Sequence, residues 1–208
     1  MTRRIRDISQ HLHPGLPVWP GDTDFAQSRT WRMEEGSPVN VSAITLSTHT
    51  GAHADAPLHY AQGAGDIASV DLDPYLGRCL LVDARDAGAR IEADRIPDLD
   101  GAQRVLFRTF EQFPHDRWDE HATAIAPEAI DRLAKSGVRL VGMDGPSLDP
   151  QDSKDMLAHK AVLRHDMRVL EGLVLDGVEE GFYELIALPL PIVGGDASPV
   201  RAVLRDLP

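Results

Sequence analysis

Three histidines and an aspartate, His49, His53, Asp55 and His59, fall within the run Ser47-Thr48-His49-Thr50-Gly51-Ala52-His53-Ala54-Asp55-Ala56-Pro57-Leu58-His59. With nine histidines in 208 residues, chance would put fewer than one in a window of that length. Imidazole nitrogens and a carboxylate are the usual donors to a catalytic zinc-type ion, which keeps one position open for water. The spacing of His49 and His53 matches the helical zinc motif His-Glu-x-x-His, but Thr50 stands where the glutamate is needed. Gly51 and Pro57 also disfavour a continuous helix through the window. The better reading is a strand, Val39 to Ser47, that delivers a glycine-containing loop whose side chains converge on a metal. A chance cluster or a structural turn is the bland alternative.

Outside the window the residue types alone leave choices open. His159 and His165 are rival ligands, and neither is favoured by its surroundings. Glu171 is by default a surface carboxylate, with Glu179, Glu180 and Glu184 close by in the chain. Trp19, between Val18 and Pro20, either stacks on an aromatic substrate or covers the core. Asp144 and Asp149 either line a pocket or cap a turn, and are left out of the site. His11, His13, His115 and His121 sit among polar residues and are expected at the surface. Cys79, the only cysteine, lies in the apolar run Cys79-Leu80-Leu81-Val82 and reads as a buried small hydrophobe, unable to form an internal disulfide.

The elements that must position these groups are short. β-like runs are expected at Ile5 to Ser9, Val39 to Ser47, Cys79 to Asp83, Val105 to Thr109, Val138 to Met143, Tyr183 to Leu188 and Val200 to Arg205. Two stretches read as helices. Pro127 to Ser136 has a proline at its first position, an early Glu128, a late Lys135 and Gly137 just beyond. Ser153 to His165 opens on a possible N-cap serine and carries a partial helical stripe. Strands and helices at irregular spacing predict a mixed α/β domain rather than a regular βαβ alternation. The fifteen prolines and seventeen glycines are scattered as turn punctuation, so residues 1–208 are expected to form one domain.

Bulk properties narrow the function classes. A composition of 42% hydrophobic and 26% charged residues is that of a globular chain. The net charge of -12 argues against a nucleic-acid or anionic-membrane partner, both of which demand a basic face. No apolar run is long enough to span a bilayer. Met1 to Asp7 carries three arginines with no apolar segment after them, so no secretory signal is expected. With the single cysteine, this points to the cytoplasm.

The string His49-Thr-Gly-Ala-His-Ala-Asp-Ala-Pro-Leu-His59 resembles the signature of the metal-dependent cyclase-like hydrolases, and within them the bacterial kynurenine formamidase (arylformamidase) type. Val18-Trp19-Pro20-Gly21-Asp22 is similar to that family's N-terminal loop, and Met143 to Pro150 to its central acidic turn. His159-Lys160-Ala161-Val162-Leu163 and Val169-Leu170-Glu171-Gly172-Leu173 are similar to its C-terminal ligand segment. The likeness runs from about Arg4 to Arg205. One departure is Ala52, where the wider family usually has threonine, and it favours the formamidase branch.

The resemblance implies a mixed swivelling β/β/α fold, a homodimer and two zinc ions per subunit, with manganese or cobalt acceptable to the same donors. It implies that His49, His53 and Asp55 hold the first ion and that Asp55 bridges to a second held by His159 and Glu171. A carboxylate has two oxygens and can span ions about 3.5–4 Å apart. His59 is then the general acid/base, since imidazole titrates near neutrality; the competing reading makes it a ligand. Trp19 becomes a substrate contact. The implied reaction is hydrolysis of N-formyl-L-kynurenine to kynurenine and formate, a step of tryptophan breakdown. Two alternatives remain at this point: a related hydrolase opening a cyclic amide or lactone, and a non-enzymatic metal-binding domain, although a structural zinc more often recruits cysteines.

Overall fold

The computed structural model describes residues 3–208; Met1 and Thr2, the start of the arginine-bearing stretch weighed above as a leader, lie outside them. In chain order the strands are β1 (Ile5–Asp7), β2 (Ala26–Trp31), β3 (Val41–Thr45), β4 (His53–Asp55), β5 (Leu76–Asp83), β6 (Arg90–Ile91), β7 (Arg104–Arg108), β8 (Ala124–Ile125), β9 (Leu140–Met143), β10 (Arg168–Glu171), β11 (Gly181–Ile186), β12 (Ala197–Pro199) and β13 (Val203–Asp206). The α-helices are α1 (Pro57–Tyr60), α2 (Pro127–Lys135) and α3 (Leu157–Arg164).

Nine strands form one sheet in the order β1-β13-β11-β5-β7-β9-β10-β4-β12. β5, β7, β9 and β10 run parallel, and the strands on both flanks pair antiparallel. Parallel neighbours need crossovers, which α2 provides between β7 and β9 and α3 between β9 and β10. The expected mixed α/β architecture is therefore present. No helix of the described residues is long and apolar enough to cross a membrane.

Because side chains alternate across a strand, each central strand feeds two cores. Leu80, Val82, Val105, Phe107, Val141, Met143 and Val169 face the helices and pack on Ile130, Leu133, Ala161 and Val162. Cys79, Leu81, Leu106, Leu140 and Leu170 face the other way, against Ile8, Leu173, Leu185 and Leu204. Cys79 is fully buried, as expected from its neighbours, and burial pushes its thiol upward.

Two expectations are corrected. The strand expected at Val39 to Ser47 is Val41–Thr45, and among the described residues it pairs only with β2, in a separate two-stranded ribbon. Of the expected converging groups, the loop it delivers carries His49. After a turn at residues 46–52 the chain enters the main sheet as β4, so His53 and Asp55 are strand residues, and His59 sits on α1. Three residues are too few to show a strand period in the sequence. The second helix starts at Leu157 rather than Ser153. Met156 adopts a left-handed conformation at φ 49°, Ser153 Oγ accepts the Met156 N–H, and the Ala158 and His159 N–H groups are taken by the Asp149 carboxylate on the preceding turn.

Gly172, immediately after Glu171, has φ +64°, and a Cβ built there would lie 2.5 Å from the Gly51 carbonyl oxygen. Only glycine satisfies both the left-handed backbone and that close approach. Gly172→Ala is expected to cost roughly 3 kcal/mol and to lower Tm by roughly 6–12 °C in a thermal melt. A variant melting with the parent would show that the contact between residues 51 and 172 is not constraining.

Candidate metal centre

The period of two in β4 puts His53 and Asp55 on the helix-facing side of the sheet, while Ala54 between them enters the opposite core. Antiparallel pairing with β10 sets Glu171 opposite His53 and Val169 opposite Asp55. Residues directly opposite in such a pair share a face, so Glu171 joins the other two. His159 comes down onto this group from α3, and His49 reaches it from the preceding turn.

The distances are uniform. His53 Nε2 lies 3.5 Å from Asp55 Oδ1 and 3.4 Å from Glu171 Oε2. His159 Nε2 lies 3.4 Å from both Asp55 Oδ2 and Glu171 Oε1. His49 Nδ1 lies 3.2 Å from Asp55 Oδ1. Asp55 and Glu171 thus each turn one oxygen towards His53 and the other towards His159. Donors bound about 2.0–2.1 Å from a tetrahedral ion sit about 3.3 Å from one another.

The tautomers sharpen this fit. His53 Nδ1–H donates to Gly51 O at 2.9 Å, and His159 Nδ1–H donates to Asp149 Oδ2 at 2.7 Å. His49 Nε2 lies 3.1 Å from Asp196 Oδ2. In each neutral ring the second nitrogen then carries a lone pair aimed at a carboxylate oxygen. Acceptor faces acceptor, an arrangement that needs a proton or a cation between the two. His53 Nε2, His159 Nε2 and both Asp55 oxygens are buried with no hydrogen-bond partner. Burial, the largest effect, would raise Asp55 and lower His159, but the facing charges prevail. Asp55 is held well below, and His159 well above, its ordinary range. His49 is likewise lowered by burial, but Asp55 and Asp196 lift it to about 9. The donor set thus suits a divalent cation.

His59 stands at the mouth of this cluster. Its ring centroid is 4.2 Å from that of His49, and its Nδ1 is 3.5 Å from Asp196 Oδ2. His49, Asp55 and His59 offer donor atoms all within 4.8 Å of one another, as do His53, Asp55 and Glu171. Above them opens a cavity of about 510 Å³ whose lining includes His49, His53, His59, Glu171 and Trp19. All seven residues singled out in the sequence therefore lie in or beneath one cavity. His165 does not; its Nε2 pairs with Asp131 at 2.7 Å. Glu180 and Glu184 are engaged with Asp83 N–H and with Arg3 and Arg205.

Two further residues hold these side chains: Asp149, weighed in the sequence as a pocket wall or turn cap and left out of the site, and Asp196, which the sequence reading missed. Asp149 accepts the Ala158 and His159 backbone N–H groups at 2.9 and 3.1 Å as well as the His159 ring. It caps α3 and orients the His159 ring at once. Asp196, also hydrogen-bonded by Thr48 Oγ1 at 2.9 Å, faces both His49 and His59. Nothing near Asp196 in the chain signals this, because its partners lie about 140 positions away. Asp144 is a turn residue that also lines the cavity. Its carboxylate accepts Thr109 Oγ1–H and the Thr109 and Phe110 N–H groups, while burial pushes it up to about 6.

The family model Cyclase matches residues 6–150. Proteins named kynurenine formamidase are similar along the whole length. That of Erythrobacter litoralis is 61% identical, covering 99% of this chain and 95% of its own, and that of Maricaulis maris is 57% identical over 99% of both. A solved structure described as a potential metal-dependent hydrolase with cyclase activity superposes with a TM-score of 0.84 at 31% identity over 99% of each chain. An isatin hydrolase bound to thioisatinate shares the fold, with a TM-score of 0.83 at 22% identity over 98% of this chain and 92% of its own.

Removing a carboxylate that orients a ligating histidine typically weakens metal binding 10–100-fold. Asp149→Ala is expected to show that loss in a zinc titration against a competing chelator, with about 1–2 kcal/mol of destabilisation from the lost helix cap. Zinc affinity equal to the parent's would exclude the orienting role.

Proposed function

Because the chain belongs to the Cyclase family, alongside proteins named kynurenine formamidase, we propose that it hydrolyses N-formyl-L-kynurenine to L-kynurenine and formate in tryptophan breakdown. The observation that carries this reading is the set of buried, unpartnered nitrogen and carboxylate atoms at the floor of a cavity walled by tryptophan. The whole of residues 1–208 is taken as one hydrolase domain, and the lone buried Cys79 supports a place in the reducing cytoplasm.

The cofactor is a divalent metal. We assign two zinc ions per subunit, one to His49, His53 and Asp55 and one to His159 and Glu171, with Asp55 shared. The position of Glu171 between His53 and His159 supports its being shared as well. When bound, such ions depress the pKa of water and polarise a carbonyl oxygen.

The protein's own groups do the rest. His59, at the cavity wall, takes the proton of the attacking water and returns it to the aryl amine nitrogen as the C–N bond breaks. Asp196 holds that imidazole in place. Trp19 packs on the aryl ring. Water adds to the formyl carbon, one of its protons passes through His59 to the amine nitrogen, and the other leaves on formic acid, which ionises to formate and a proton once released.

The test pairs metal analysis with an N-formyl-L-kynurenine assay. Metal-loaded parent protein is expected to be active, and Asp55→Ala to lose both bound metal and at least about 10³-fold in kcat/KM. His59→Ala is expected to keep its metal and to lose about 10²–10⁴-fold in kcat. Parent protein acting only on a cyclic amide would reject the substrate. Loss of metal from His59→Ala would make His59 a ligand.

The working unit is a homodimer in this reading, supported by the β2–β3 ribbon. All its strand residues are exposed, with Trp31 and Ile44 each 56% exposed, and a lone two-stranded hairpin is marginal in water. Light scattering is expected to give twice the chain mass for the parent and a monomer for Trp31→Glu/Ile44→Glu. A monomeric parent would exclude the dimer.

A further inference from the structure

One wall of the cavity comes from the loop after β7, and two adjacent residues on it point to what the cavity selects. Trp118 donates its indole N–H to Gln151 Oε1 at 2.6 Å, which fixes the ring. It meets Trp19 edge to face, with centroids 5.4 Å apart and planes at 72°. Two of the three tryptophans of the chain thus stand together over the donor cluster. Such a pair offers large, rigid aromatic area at low entropic cost.

Arg117 is the one lysine or arginine among the lining residues; the other ionisable groups there are Asp22, Asp119, Asp144, Glu171 and three histidines. Its ion-pair neighbour among the described residues is Asp116, at 3.9 Å, with both side chains largely in water. A pair of that kind contributes little, so the guanidinium is available to a ligand. Its planar fork matches a carboxylate in a bidentate manner. Apart from the metal centre, an anionic group entering this cavity is repelled by three acids and attracted at this one point.

We propose that Arg117 and Trp118 form the specificity face of the site, Trp118 making with Trp19 an aromatic corner against which an aryl ring packs and Arg117 binding the carboxylate of the ligand's amino-acid end. This rests on the N-formyl-L-kynurenine reading and adds to it the residues that hold the part of the substrate remote from the amide. The two contacts have separable signatures, because only one needs the carboxylate.

The test is calorimetric binding of two amines that need no turnover: L-kynurenine, and 2-aminopropiophenone, which keeps the aryl ketone and lacks the amino-acid groups. Arg117→Gln is expected to weaken L-kynurenine about tenfold and to leave 2-aminopropiophenone within about twofold, while Arg117→Lys recovers part of the loss. Trp118→Leu is expected to weaken both ligands about five- to tenfold. Parent-like L-kynurenine binding by Arg117→Gln, or an equal loss of both ligands, overturns the proposal. So does a parent protein that binds neither amine. Absence of N-formyl-L-kynurenine turnover in a parent that still separates the two amines through Arg117 would reject the reaction and keep the recognition face.

Discussion

Asp55 and Glu171 are two carboxylates, 1% and 3% exposed, held across from one another with imidazoles on both sides. Charges that deep are costly unless paired, and among the described residues their ion-pair partners are histidines. The compensating charge has to come from the imidazoles or from a cation between the donors. Much of the surrounding structure reads as the means of keeping these groups in place despite that cost. The sheet register sets Glu171 opposite His53, α3 brings His159 down on the same face, and Leu148 N–H donates to Glu171 Oε1 at 2.7 Å.

Each histidine of the centre is aimed by a different device. His53 is held by a backbone carbonyl, His159 by a buried carboxylate and His49 by a half-exposed one. The outer acceptors fix which nitrogen is free, and so fix the donor geometry before any ion arrives. Gly172 belongs to the same scheme, because its lack of a side chain lets the Gly51 carbonyl that orients His53 lie against β10. Backbone packing and ligand orientation are therefore one constraint at this point.

The elements differ in how plainly they could be read. Helix α2 carries its own signals, a proline at its start, Glu128 early and Gly137 beyond its end, and it forms where they place it. The central strands β5, β7 and β9 are apolar runs because both of their faces are buried. β4 and β10 were not legible as strands. Their faces toward the helices carry His53, Asp55 and Glu171 in place of hydrophobes, so the functional residues erase the pattern that would have marked them. The start of α3 was misplaced for a related reason: its cap is Asp149, on the preceding turn, not the neighbouring serine.

The chemistry was legible from the chain alone because it is local in part: a density of histidine and aspartate between positions 49 and 59 has few other physical uses. Residue types also determined the mixed α/β class. What residue types could not decide was which distant groups complete the centre. His159 against His165, Glu171 against Glu184, and any role for Asp196 depend on strand register and helix docking, which act between residues more than a hundred positions apart. Only the folded chain sets those distances. The hydrophobic cores on the two faces of the sheet determine which side chains share a face, and the candidate metal donors occupy the places left between them.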